Sequence, residues 1–271
     1  MSGLSVIFGL RSPPHGKVFG MNTLDNPDSS SRQEPAGEFA TTHWNLVLCA
    51  GGRADEQSRQ ALAALCQRYW LPLYAFARRR VADRHEAQDL TQEFFARLLE
   101  KNLLASAAPE RGRFRSFLLT ALKNFLANEW DRTQAQKRGG GREHLSLDWE
   151  AGESRLHLEP AHDLTPERLF ERQWTLTLLE NVVARLQAEF ELAGKQRQFE
   201  VLKGTLTGDR SETAYASLAA ELAMTEESVR QAAHRLKKRY RELLRDEVSQ
   251  TVLEPGDLDD EIRQLFETLR N

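Results

Sequence analysis

The chain has 271 residues, with 37 Lys and Arg against 40 Asp and Glu, for a net charge of −3. Hydrophobic residues make up 40% and charged residues 28%, a globular balance that excludes a wholly disordered chain. No apolar run approaches the ~20 residues of a membrane helix, and Cys49 and Cys66 alone cannot make a disulfide framework.

Residues 1–38 are rich in Ser, Pro, Gly and Asn and read as a disordered tail, with Met21 as an alternative start to Met1. The apolar stretch Val6–Leu10 is too brief for a signal-peptide core, so the cytoplasm is the expected compartment. Helical spacing then takes over, and residues 39–138 read as a first helical domain. Leu62, Leu65, Tyr69, Leu73 and Phe76 recur every three or four residues, as do Ala87, Leu90, Phe94 and Leu98. A third helix, over 115–132, is apolar around most of its girth, through Phe117, Leu118, Leu122 and Phe125. Trp130, near its end, reads as core rather than as a base-stacking ring.

The glycines 139–141 cannot sit inside a stable helix, since each costs about 1 kcal/mol relative to Ala. Residues 139–165 therefore read as a flexible linker. Thr165-Pro166-Glu167 is a helix start: hydroxyl cap, proline at the first position, acid in the first turn. That helix is expected to run to Gly194, and a shorter one through Phe199 and Leu202 to end at Gly204. Residues 166–246 form a second domain in which Ser217–Leu222, a turn at Ala223-Met224 and a helix capped by Thr225 make a helix-turn-helix pattern. Residues 247–271 are an acidic tail with one short amphipathic helix. No stretch alternates as a half-buried strand does, so the expected fold is all-α.

Charge is segregated along this map. Residues 68–142 hold 15 Lys and Arg against eight acids, whereas 246–271 carry eight acids against two arginines. The first stretch suits a polyanion; the second suggests a tail that masks basic surface.

Three patterns could carry function. On the helix after Thr225, Val229, Ala233, Leu236 and Tyr240 face inward. The outward arc holds Arg230, Gln231, His234, Arg235 and Lys238, donors suited to base edges in a major groove, with Lys237 and Arg239 beside it for phosphates. On the helix over 85–100, Asp89, Gln92 and Glu93 share an outward face near Phe95. Finally, Arg111-Gly112-Arg113-Phe114-Arg115 makes a basic, aromatic loop suited to a splayed single strand. It is followed by the polar strip Lys123, Asn124 and Asn128. The chain has no P-loop, nucleophile elbow, zincin helix or EF-hand loop, so no catalytic or metal site and no cofactor is expected.

In this order, the three patterns resemble a bacterial RNA polymerase sigma factor of the sigma-70 family, extracytoplasmic-function (ECF) type. The resemblance covers roughly residues 39–252. Asp89-Leu90-Thr91-Gln92-Glu93-Phe94-Phe95 is similar to the core-binding signature of region 2, and Ala219–Leu244 to region 4. Phe39–Trp44 and Asn128–Arg132 are similar to a lineage with an added N-terminal segment. The resemblance implies two helical domains joined by a partly helical linker, and a non-enzymatic role in promoter recognition. It implies that Asp89, Gln92, Glu93 and Phe95 bind the β′ coiled-coil of core polymerase. Arg113, Arg115, Lys123, Asn124 and Asn128 would engage the −10 element, and Arg230, Gln231, His234, Arg235 and Lys238 the −35 element. The linker would thread into the core enzyme, and an anti-sigma factor is a further implied partner. Departures from the family pattern are the long acidic helix after Thr165, Ala223 in the turn and the tail after 246. A stand-alone helix-turn-helix regulator is the alternative reading, but it leaves the 89–95 face without a use.

Overall fold

The computed structural model describes residues 47, 56–100, 104, 107, 112–133, 147–157, 164–206, 212–252 and 255–270. The expectations for the tail 1–38, the segment 39–44 and the glycines 139–141 lie outside them. The architecture is all-α, with no strand among the described residues. None of these helices is long and apolar enough to cross a membrane.

Three helices form the N-terminal bundle: α1 (Glu56–Arg80), α2 (Arg84–Glu100) and α3 (Phe114–Thr133). Most of their expected inward residues are buried, Leu65, Tyr69, Leu73 and Phe76 on α1, Phe94 and Leu98 on α2, Leu118, Leu122 and Phe125 on α3, while Leu90 and Phe117 are half-buried. Asp83 starts α2, its carboxylate accepting from the Glu86 amide at 2.8 Å.

The segment expected to be linker contains a further helix, α4 (Trp149–His157). Asp148 caps it, accepting from the Ala151 amide at 3.0 Å. Trp149 packs edge-on against Trp70 and Tyr74, with centroids 5.5 and 5.1 Å apart. A Cβ on Gly152 would lie 2.8 Å from the Trp70 ring, so only glycine lets α4 approach this closely. Glu153 accepts from the Tyr74 hydroxyl and, at 2.8 Å, from Arg78 Nε. This helix is docked on α1, which the loose composition of 139–165 did not suggest.

The long α5 (Pro166–Leu192) starts as expected, with Thr165 Oγ1 accepting from the Arg168 amide at 3.2 Å. It ends two residues before Gly194. The Lys195 amide returns to the Phe190 carbonyl at 2.8 Å and that of Gly194 to Glu191 at 2.9 Å. This closure needs a left-handed residue, and Gly194 supplies it at φ +68°. Short α6 (Gln196–Leu202), α7 (Glu212–Leu222), α8 (Glu226–Ser249) and α9 (Leu258–Arg270) follow.

Helix α5 is the spine of the molecule. It lies along α1 on one side and takes α8 and α9 on the other. Phe170, Trp174, Leu178, Val182 and Leu186 are all buried along it. The Trp174 indole donates to the Tyr69 hydroxyl, whose pKa burial nevertheless pushes up to about 12. Burial likewise drives the Cys66 thiol to about 12, leaving it protonated and unreactive. One continuous apolar core therefore runs from the N-terminal bundle to the C-terminal helices. A buried carboxylate reinforces the join: Glu247 on α8 meets Arg68 of α1 at 2.5 Å and Arg185 of α5 at 3.1 Å.

Candidate nucleic-acid and polymerase interfaces

Helices α7 and α8 are joined by the short turn Ala223–Thr225, where the sequence places a turn. Ala223 stands at φ +51°, and the Met224 amide returns to the Ala219 carbonyl at 3.0 Å. The turn thus uses the same left-handed closure as Gly194, with an alanine in the strained place. Thr225 caps α8 through the Ser228 amide at 3.2 Å. Val229, Ala233 and Leu236 are buried, and Tyr240 is half-buried. Gln231, His234, Arg235 and Lys238 are exposed along one side, with Arg230 half-buried at its border. Arg230 pairs with Glu226 at 3.3 Å and lies over the Tyr215 ring; Gln231 bonds Glu227 at 3.1 Å. Arg239, expected beside them as a phosphate ligand, is instead turned back onto α5 and gripped by Glu189.

The face of α2 is divided. Asp89 is exposed, and Gln92 and Glu93 are half-buried. Glu93 accepts from Arg97 Nε at 2.9 Å, and Arg97 also reaches Glu129 of α3, with its guanidinium 4.9 Å from the Phe125 ring centroid. Phe95 does not share that face. It is 1% exposed and packs beside Phe94 in the bundle core, because it falls on the inward side of α2.

The candidate −10 residues behave differently from one another. Asn124 and Asn128 are exposed on α3. Lys123 is held at 2.8 Å by Glu167, in the first turn of α5, and the same carboxylate meets Arg80 at 3.7 Å. The hydrogen bond from Lys123 keeps the Glu167 carboxyl below its usual range. Arg113 reaches Glu261 of α9 at 2.5 Å and Gln264 at 2.8 Å. Arg115, expected to face a strand, is 4% exposed. It lies 4.1 Å from the Trp174 ring centroid, between Glu171 at 2.9 Å and Glu261 at 2.5 Å. Its charge is enclosed because three groups from later in the chain converge on it.

Trp130 reverses its expectation. It is 63% exposed and borders a groove of about 480 Å³ that is also lined by Phe76, Arg80, Leu90, Lys123 and Leu126. Its walls are apolar and its charged lining is mixed, Arg80 and Lys123 with Glu86 and Glu129, so a flat ring is the group it suits. A signal for this was present: Trp130 follows Lys123 by seven residues, two helical turns, and so shares its outward side. Arg80, whose guanidinium lies 5.2 Å from the Phe76 ring centroid, had no such signal, since its place in the groove depends on α1 meeting α3.

Residues 65–136, about a quarter of the chain, match the family Sigma-70 region 2. Neither the curated proteins nor the solved structures contain a significant match. The matched stretch spans α1 from Leu65, α2 and α3, and so holds the divided face and the groove. It supports a sigma-70-type region 2 in this part of the chain.

Proposed function

We propose that this chain is an ECF-type sigma factor working in the cytoplasm. Asp89, Gln92 and Glu93 bind the β′ coiled-coil of core polymerase, with Phe95 shaping the helix from within. The loop and helix carrying Arg113, Arg115, Lys123, Asn124 and Asn128 capture the opened −10 strand. Arg230, Gln231, His234, Arg235 and Lys238 read the −35 element in the major groove. The observation that carries this reading is the order of parts: a stretch matching region 2, followed along the chain by a helix-turn-helix with an exposed polar arc.

Such a function needs no catalytic group. Groove and phosphate contacts, with stacking of an unpaired base, offset the cost of opening duplex at a deformable AT-rich step. Holding both modules on one polymerase makes the second DNA contact intramolecular, so each is weak alone. Free protein should bind DNA feebly and with steep salt dependence.

Run-off transcription with purified core polymerase on a pool of AT-rich promoter fragments tests the reading. Transcripts should require this protein and disappear with Gln92→Ala plus Glu93→Arg, which should also abolish capture of core enzyme. Operator binding as a dimer, with no transcript and no capture of polymerase, would favour the stand-alone regulator instead.

A further inference from the structure

Glu261 is fully enclosed, yet it belongs to the last helix of the chain and reaches into the loop assigned to single-stranded DNA. Its carboxylate oxygens stand 2.5 Å from Arg113 Nη2 and 2.5 Å from Arg115 Nη1. A carboxylate flanked by two guanidinium groups is the arrangement a DNA phosphate would adopt there. Helix α9 is delivered to this place by specific contacts. Leu265 is 2% exposed against α5 and α8, and Thr268 shares a hydrogen bond with Thr175 at 3.1 Å. Arg172 donates to the Leu269 carbonyl at 3.1 Å, and Arg245 of α8 pairs with Asp259 at 2.6 Å.

We propose that α9 is an internal competitor of nucleic acid, Glu261 occupying the phosphate position between Arg113 and Arg115 until the helix leaves. The inference rests on these two arginines being DNA ligands, as proposed above. Charge explains the switch. Arg113 and Arg115 with Glu171 and Glu261 form a neutral group, which attracts no phosphate. Withdrawing Glu261 leaves one net positive charge on this group and frees the side of Arg115 not held by Glu171 and Trp174. Ordinary ionic pairing is an insufficient account of α9, because this carboxylate is buried where a solvated tail would keep its acids in water.

The full-length chain carrying Glu261→Gln is compared with the native chain for binding a short fluorescein-labelled single-stranded AT-rich oligonucleotide, read by anisotropy. If the closed state is favoured by about ten to one, the variant should bind on the order of tenfold more tightly. Adding Arg113→Ala should cancel that gain. Unchanged affinity in Glu261→Gln, with Arg113→Ala still weakening the native chain, overturns the competitor and leaves the DNA reading standing. Indifference of both chains to Arg113→Ala removes the DNA role of the arginine and the competitor with it. A gain that survives Arg113→Ala also overturns the proposal, since the oligonucleotide then binds elsewhere. Should circular dichroism show Glu261→Gln unfolded, hydrogen exchange of the native chain decides. Saturating oligonucleotide must increase exchange over 258–270, and unaltered protection there overturns the proposal.

Discussion

Arg239 on α8 holds Glu189 on α5 through two parallel hydrogen bonds, Nε to Oε2 at 2.8 Å and Nη2 to Oε1 at 2.7 Å. This fork fixes the helix bearing the candidate −35 residues against the spine, and takes a cation away from DNA. The hydrogen bond from Arg239 holds the Glu189 carboxyl below its usual range.

Glu153, Glu167 and Glu189 together predict acid sensitivity. Burial pushes Glu153 upward, but the Tyr74 hydroxyl and the Arg78 guanidinium outweigh it and leave it lowered. Lys123 lowers Glu167. With folded values below the ordinary ~4.3, the unfolded chain binds more protons, so these carboxylates contribute fully above that pH. Their contribution is lost as pH falls through the lower folded values. Urea midpoints should therefore drop between about pH 5 and pH 3. Glu189→Gln should show a shallower drop; an equal slope would contradict its share.

Ala223→Gly should stabilise the protein by about 1 kcal/mol, because glycine adopts the left-handed turn without steric cost. Chemical denaturation measures it. Destabilisation would show that the observed φ of +51° is not a source of strain.

Glu247→Gln should destabilise by about 2 kcal/mol, less than for a fully enclosed pair, since water reaches both arginines. Side-chain exposures of 27% for Arg68 and 42% for Arg185, against 2% for Glu247, set that discount. Thermal melts should retain one transition at lower temperature, because α5 still joins the two ends of the core.

Trp130→Ala should weaken single-strand binding by roughly fivefold or more, one stacked base being worth ~1–3 kcal/mol. Stability should change by less than about 0.5 kcal/mol, as for other surface sites. Tryptophan fluorescence quenching by an oligonucleotide provides the readout, and loss of stability with unchanged affinity would assign Trp130 to packing.

Local rules made most helices legible. Thr165 and Thr225 cap where a hydroxyl before an acidic first turn says they should, and Gly194 closes α5 within two residues of its expected end. Helix α4 escaped because Gly152 sits in its middle, a penalty in isolation and a necessity against Trp70. The enclosure of Arg115 was illegible for another reason. A basic loop announces its charge in sequence, but Glu171, Trp174 and Glu261 become its neighbours only after α5 and α9 have folded over α3. The helix-turn-helix arc needed no such distant information, since its exposed side follows from the buried side of one amphipathic helix.

The ceiling formed by Trp174 over Tyr69 and Arg115 has a practical corollary. A fragment cut at the borders of the family match would end before that ceiling begins and would bare an oily seam along α1. Such a piece should clump when produced by itself. Extending the cut to Leu192 restores that cover but bares the side of α5 that α8 and α9 occupy, so only a piece that keeps all three should stay in solution.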